Sequence, residues 1–193
     1  MAIIGVLALQ GDFSRHIGVI EALGGNARAV RTAKEIAELD GLIIPGGEST
    51  TIGMLMQRFA LLDAVRSKVQ RGMALFGTCA GAILMATEIS GSDQPRLGLI
   101  DMCVERNAYG RQIESFEAVI ANEQLPPESE TLTAVFIRAP RITRVGTDVR
   151  VLGRFESDPV LVQQGRLLAA TFHPELTENR SIHVHFLKLS GHV

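Results

Sequence analysis

Short apolar runs, each closed by a glycine-bearing turn and followed by residues at helical spacing, constrain this chain more than any other feature. Ile3 to Leu9 is continuously apolar, the pattern of a strand buried on both faces. Gln10-Gly11-Asp12 follows, and Asp12 is placed to cap a helix carrying Phe13, Ile17, Ile20 and Leu23 on one side. Gly24-Gly25 ends that helix. Ala27 to Val30 predicts a second strand, and Gly41 to Ile44 a third, stopped by Pro45-Gly46-Gly47. Ser49 or Thr50 caps the next predicted helix, with apolar positions at Ile52, Leu55, Met56 and Phe59, and Leu61 to Val69 continues helical. Met73 to Phe76 is another short strand. It runs into Gly77-Thr78-Cys79-Ala80-Gly81, and Ala82 to Ala86 starts a helix. This rhythm predicts an α/β fold: a doubly wound, mostly parallel sheet flanked by helices, with ligands bound along the carboxyl ends of the strands.

The second half reads differently. Leu97 to Glu105, Phe116 to Ile120, Thr133 to Ile137, Val149 to Phe155, Val160 to Gln164 and Leu167 to Thr171 look like strands joined by turns, some of them antiparallel. Gln124 to Glu130 is a polar loop, and Glu178 to Leu189 predicts the last helix. There is neither repeat nor linker, so residues 1–193 are expected to form one domain.

Composition narrows the function classes. Nineteen basic against 21 acidic side chains give a net charge of −2, which argues against a nucleic-acid-binding surface. Two cysteines cannot make a disulfide scaffold. The N-terminal apolar run is too short to span a membrane and lacks the layout of a signal peptide, so a cytoplasmic protein with no membrane partner is expected.

Gly77-Thr78-Cys79-Ala80-Gly81 has the G-x-nucleophile-x-G form of a nucleophile elbow, with cysteine in the reactive place. A helix opening near Ala80 would direct its amino end at the sulfur and favour thiolate. The competing interpretation is a buried structural cysteine beside a glycine turn. A nucleophile needs a base, and His173 stands at a strand end, fixed by Pro174, with Glu175 two residues on to orient the ring. Gly46-Gly47-Glu48-Ser49, between strand and helix, suits an oxyanion hole; no Gly-Lys-Ser/Thr follows, so it is not a P-loop. His183 and His185 fall on different faces of a helix and make a poor metal site, and His16 and His192 show no partner pattern. Cys103, in an apolar strand without a nearby histidine, reads as structural.

These elements, in this order, resemble the class I, triad-type glutamine amidotransferase family over the whole chain. Within it the resemblance is closest to the branch of glutaminases that serve a separate pyridoxal 5′-phosphate synthase subunit. That closer match is carried by residues 5–11 (Gly-Val-Leu-Ala-Leu-Gln-Gly), 42–51 (Leu-Ile-Ile-Pro-Gly-Gly-Glu-Ser-Thr-Thr), 107–112 (Asn-Ala-Tyr-Gly-Arg-Gln), 136–140 (Phe-Ile-Arg-Ala-Pro) and 172–176 (Phe-His-Pro-Glu-Leu). Tyr109 departs from the expected Phe.

The resemblance implies that Cys79 is the nucleophile, His173 the base and Glu175 its orienter. It implies that Gly47 and Ala80 supply oxyanion N–H groups beside Gly46, and that Glu48, Ser49, Arg106, Ile137 and Arg138 contact L-glutamine. Arg106 or Arg138 suits the substrate α-carboxylate, and Glu48 its α-ammonium. The implied reaction converts L-glutamine and water to L-glutamate and ammonia, with no metal and no cofactor. The implied partner is a barrel-shaped synthase subunit that accepts the ammonia, pyridoxal phosphate being the product of the complex. In such proteins docking reorganises the oxyanion loop, and the region near Gln10 is the expected contact. Two alternatives remain: another Cys-elbow hydrolase such as a peptidase or deglycase, and a non-catalytic regulatory subunit. The first places its histidine soon after the cysteine, whereas here none occurs between Cys79 and His173.

Overall fold

The computed structural model describes residues 2–106, 108, 115–122 and 131–192. Strands β1 (Ile3–Leu7), β2 (Asn26–Val30), β3 (Gly41–Ile44) and β4 (Ala74–Thr78) alternate with helices α1 (Phe13–Ala22), α2 (Ala33–Ile36), α3 (Ser49–Arg58), α4 (Leu61–Gln70) and α5 (Ala80–Met85). There follow β5 (Ala86–Ile89), β6 (Ile100–Glu105), β7 (Ser115–Asn122), β8 (Thr131–Ile137), β9 (Arg141–Val145), β10 (Arg150–Phe155), β11 (Asp158–Gln164) and β12 (Leu167–Ala170). A 3-10 turn (Pro174–Leu176) and α6 (Ser181–Leu189) close the chain.

Nine strands form one sheet in the order β2-β1-β3-β4-β12-β11-β10-β7-β8. From β2 through β12 every neighbouring pair is parallel, and from β12 to β8 every pair is antiparallel. The expected doubly wound sheet with antiparallel strands in the second half is therefore present. A separate three-stranded sheet, β5-β6-β9, was not marked by periodicity.

The inner parallel strands β1, β3 and β4 are buried because both faces are covered, whereas the edge strand β2 carries Asn26 and Arg28. Leu42, Ile44 and Leu75 face a core shared with Ile52 and Met56 of α3, Val65 of α4 and Ile83 of α5. Ile4, Ile43 and Phe76 face the opposite core, with Ile20 of α1 and Phe186 of α6. Alternate residues of one strand thus enter different cores, the signature of a doubly wound sheet.

Several local expectations are corrected. Asp12 stands at the N-cap position of α1 as expected, but its carboxylate makes no capping bond; it accepts from Ser14 Oγ and Arg15 Nε, both at 2.8 Å. Glu48, not Ser49 or Thr50, caps α3, accepting the N–H groups of Thr50 and Thr51. α5 stops at Met85 because Ala86 turns extended and starts β5, which pairs with β6. α6 begins at Ser181 rather than Glu178, since Asn179 Oδ1 accepts both the Ser181 N–H and its hydroxyl. The short α2 carries a capping box between Thr32 and Glu35. The Asn107 to Gln112 motif, apart from Ala108, and the Gln124 to Glu130 loop lie outside the described residues. Among the described residues no helix is long and apolar enough to cross a membrane.

Candidate active site

The elbow has a steric origin. β4 ends at Thr78, α5 begins at Ala80, and Cys79 between them is held at φ 48°, ψ −103°. That conformation is costly for a residue with a β-carbon and persists only where its surroundings impose it. The Cys79 N–H donates to the Ala170 carbonyl at 2.8 Å, tying the turn to the end of β12. A β-carbon at Gly77 would strike the backbone of Gly81, and one at Gly81 would strike the Ile44 carbonyl. The two glycines are thus what allows strand, turn and helix to pack this tightly. Cys79 is 8% exposed, and its Sγ lies 3.8 Å from the Ile137 carbonyl oxygen.

His173 arrives from the neighbouring strand. β12 lies beside β4, and the His173 N–H donates to the Val135 carbonyl of β8 at 2.8 Å. Pro174 then opens the 3-10 turn, which brings Glu175 back under the ring. His173 Nδ1 and Glu175 Oε1 are 2.7 Å apart. Burial opposes the charged form of His173, but hydrogen bonding to Cys79 and Glu175 and the charge of Glu175 outweigh it, raising the imidazole from 6.5 to about 10. Burial likewise works against the Glu175 carboxylate, yet the His173 bond and nearby His16 leave it below its usual range. The site thus holds a cysteine, a histidine whose charged form is favoured, and a carboxylate that orients it.

One cleft of about 550 Å³ gathers the expected residues. Gly46, Gly47, Glu48, Ser49, Cys79, Arg106, Ile137, Arg138, His173 and Glu175 all line it, together with Gln10, Gly11, Asp12, Ile83 and Leu176. Ala80 does not line it; its side chain is buried and it supplies the first residue of α5. Arg138 has φ 43°, a second left-handed residue at the cleft besides Cys79. The Glu48 carboxylate is occupied as a helix cap. Its desolvation is outweighed by bonds from the Thr51 hydroxyl and the backbone of Thr51 and Thr50, which hold it down at about 2. Arg106 reaches Glu48 Oε1 at 3.4 Å.

Sequence reasoning missed three supporting side chains. Gln10 Oε1 accepts the Glu48 N–H at 2.8 Å and so anchors the glycine loop to the β1–α1 turn. Gln94 Oε1 accepts from Arg106 Nη1 at 2.7 Å and from Ser49 Oγ at 3.3 Å. His16, on α1, lies 3.4 Å from Glu175 Oε2. Gln10 falls within the motif at residues 5–11, and His16 shares the helical face of Phe13 and Ile20; Gln94 carries no local signal. Cys103 is buried in β6, as a structural cysteine would be. Among the described residues no three His, Cys, Asp or Glu side chains cluster to hold a metal ion.

The architecture recurs at low sequence identity. A solved structure of a glutamine amidotransferase from Thermotoga maritima superposes with a TM-score of 0.62 at 11% identity, covering 97% of this chain and 79% of that one. Sheet and flanking helices define the scaffold of class I glutamine amidotransferases. The chain belongs to the SNO glutamine amidotransferase family, whose profile matches residues 6–190. It is 53% identical over 191 residues to a Thermus thermophilus protein named "Pyridoxal 5′-phosphate synthase subunit PdxT", covering 98% of each chain. A Niallia circulans protein of the same name is 52% identical over 186 residues, covering 96% of each. A structure titled "Crystal structure of glutamine amidotransferase" matches with a TM-score of 0.92 at 52% identity, covering 97% of this chain and 98% of that one.

Proposed function

We propose that this protein is the glutaminase subunit of a pyridoxal 5′-phosphate synthase. It hydrolyses L-glutamine to L-glutamate and ammonia through Cys79, His173 and Glu175 within one domain, and passes the ammonia to a separate, barrel-shaped synthase subunit. The observation that carries this reading is Cys79 at a strained elbow facing a histidine whose other nitrogen is 2.7 Å from a buried carboxylate. The names of the relatives at about half identity support it, and the proposed location is the cytoplasm.

The proposed steps are these. Cys79 gives its thiol proton to His173, the resulting thiolate attacks the side-chain amide carbon of glutamine, and the carbonyl π electrons move onto oxygen. The N–H groups of Gly47 and Ala80 stabilise that oxyanion. His173, protonated and held by Glu175, gives its proton to the departing amine as the C–N bond breaks, releasing ammonia and leaving a γ-glutamyl thioester. Neutral His173 then takes a proton from water. The hydroxide adds to the thioester carbonyl, glutamate leaves, and the thiolate returns. Arg106 or Arg138 supplies a cation for the α-carboxylate, and Glu48, whose oxygens cap α3, borders the substrate with Ser49 and Ile137.

The test is ammonia and glutamate release from glutamine, by this protein alone and with the synthase subunit, with Cys79→Ala as control. Strong stimulation by the synthase, abolished in Cys79→Ala, is expected. Wild-type release from Cys79→Ala would sink the triad. Full activity without the synthase would keep the chemistry and remove the idea that docking resets the Gly46-Gly47 loop held by Gln10.

A further inference from the structure

Two histidines behind the cleft take no part in the steps above. His16 of α1 and His183 of α6 are each 0% exposed, and both rings meet Phe76 edge-on. His16 Nδ1 is 3.1 Å from His183 Nε2. The other nitrogen of His16, Nε2, is 3.3 Å from Thr78 Oγ1 and 3.4 Å from Glu175 Oε2. Thr78 immediately precedes the nucleophile. Among the described residues Glu175 Oε2 and His183 Nδ1 are buried without a hydrogen-bond partner, and the 3.4 Å approach of His16 Nε2 to Glu175 Oε2 is an electrostatic contact.

Burial keeps both imidazoles uncharged, more than the carboxylate of Glu175 favours the charged form of His16. Asp12 also acts electrostatically on His16 to raise it and His173 to lower it, and Arg180 acts on His183 to lower it. Each neutral ring has one donor and one acceptor nitrogen, so only two of the four proton arrangements keep the bond between His16 Nδ1 and His183 Nε2. If His16 donates from Nδ1, His183 must carry its proton on Nδ1, where nothing among the described residues accepts it, and Glu175 Oε2 faces a bare nitrogen. If His183 donates from Nε2, His16 accepts at Nδ1 and turns its Nε2–H toward Thr78 and Glu175. The second arrangement leaves only one ring acceptor unpaired. A stranded buried donor together with an unserved carboxylate oxygen costs more, so the second arrangement is selected.

We propose that His16, braced by His183, is a positioning residue for the amidohydrolysis: its Nε2–H holds the second oxygen of Glu175 and so fixes the carboxylate that orients His173. The inference rests on the Cys79–His173–Glu175 reading. It joins α1, α6 and the elbow strand into one support for the base, and it gives two buried imidazoles a reason to occupy a core that apolar side chains would otherwise fill.

The wild-type protein tests it first. In histidine-labelled protein, the ring nitrogen shifts identify the tautomer of each histidine. His16 and His183 are expected as Nε2–H forms; an Nδ1–H form at His16 overturns the proposal whether or not any variant folds. Turnover in the complex with the synthase subunit tests it second. A Gln at residue 16 can place an amide N–H near the Nε2 position, whereas an Asn reaches only as far as Nδ1. His16→Asn should lower kcat about tenfold or more with KM for glutamine unchanged, and His16→Gln should stay within about threefold of wild type. A merely structural role would lower thermal stability alike in both and leave kcat together. Wild-type kcat in His16→Asn, with Cys79→Ala inactive, overturns the proposal alone. Activity in Cys79→Ala overturns the triad reading and the proposal with it.

Discussion

The backbone of Gly46 lies against the imidazole of His173, so closely that a β-carbon at residue 46 would overlap Cε1 and sit 3.1 Å from Nδ1. One residue comes from the loop after β3 and the other from the segment after β12. The candidate oxyanion loop and the candidate base are therefore in close contact, with no room for a side chain between them.

Gly46→Ala tests that contact. The added methyl must displace the ring or the loop, and either movement spoils the alignment with Cys79. Synthase-stimulated glutamine hydrolysis is expected to fall by at least about tenfold. The overpacking cost to stability should be about 1–3 kcal/mol, read by urea unfolding. Wild-type turnover in the variant would show that the loop relaxes away from His173 in the active complex.

The raised His173 links stability to pH. Its folded value, about 10, exceeds its ordinary 6.5, so the folded state binds the proton more tightly. The stabilisation is fully present below about pH 6.5 and is lost as pH rises through about 10. Urea unfolding of wild type and His173→Gln should show the wild-type advantage shrinking across that window. An advantage that stayed constant or grew would contradict the protonated ring.

Glu48 behaves oppositely. Its folded value is about 2 against an ordinary 4.5, so its contribution is present above about pH 4.5 and is lost as pH falls through about 2. Glu48→Ala removes the cap of α3 and should cost about 1 kcal/mol at neutral pH. Measured by thermal unfolding, the difference from wild type should narrow in acid.

Gln94 is expected to act on binding rather than chemistry. Its Oε1 accepts from Arg106, Ser49 and Thr50. Gln94→Leu leaves Arg106 without that partner and should raise KM for glutamine several-fold with kcat little changed. Steady-state kinetics in the synthase complex separates the two constants, and a fall in kcat at constant KM would refute the assignment.

The parallel strands were legible because burial on both faces leaves an uninterrupted apolar run, as in Gly41–Ile44 and Ala74–Thr78. The elbow was legible because its glycines answer to local crowding within a few residues. The Thr32–Glu35 capping box was also present in the sequence, but hydrophobic periodicity passes over an element this short. β5 and β9 were not legible: Ala86 leaves its helix only because β6 offers it a partner far along the chain.

By itself the sequence determined the α/β rhythm, the cysteine turn, the His-Pro-Glu segment and the family they resemble. Each of these depends on neighbours close in the chain. Only the tertiary structure decided that Gln94 holds Arg106 and that His16 and His183 meet behind Glu175. Those pairings join residues separated by up to 167 positions, and a buried hydrogen bond between such distant groups leaves no periodicity for a sequence to display.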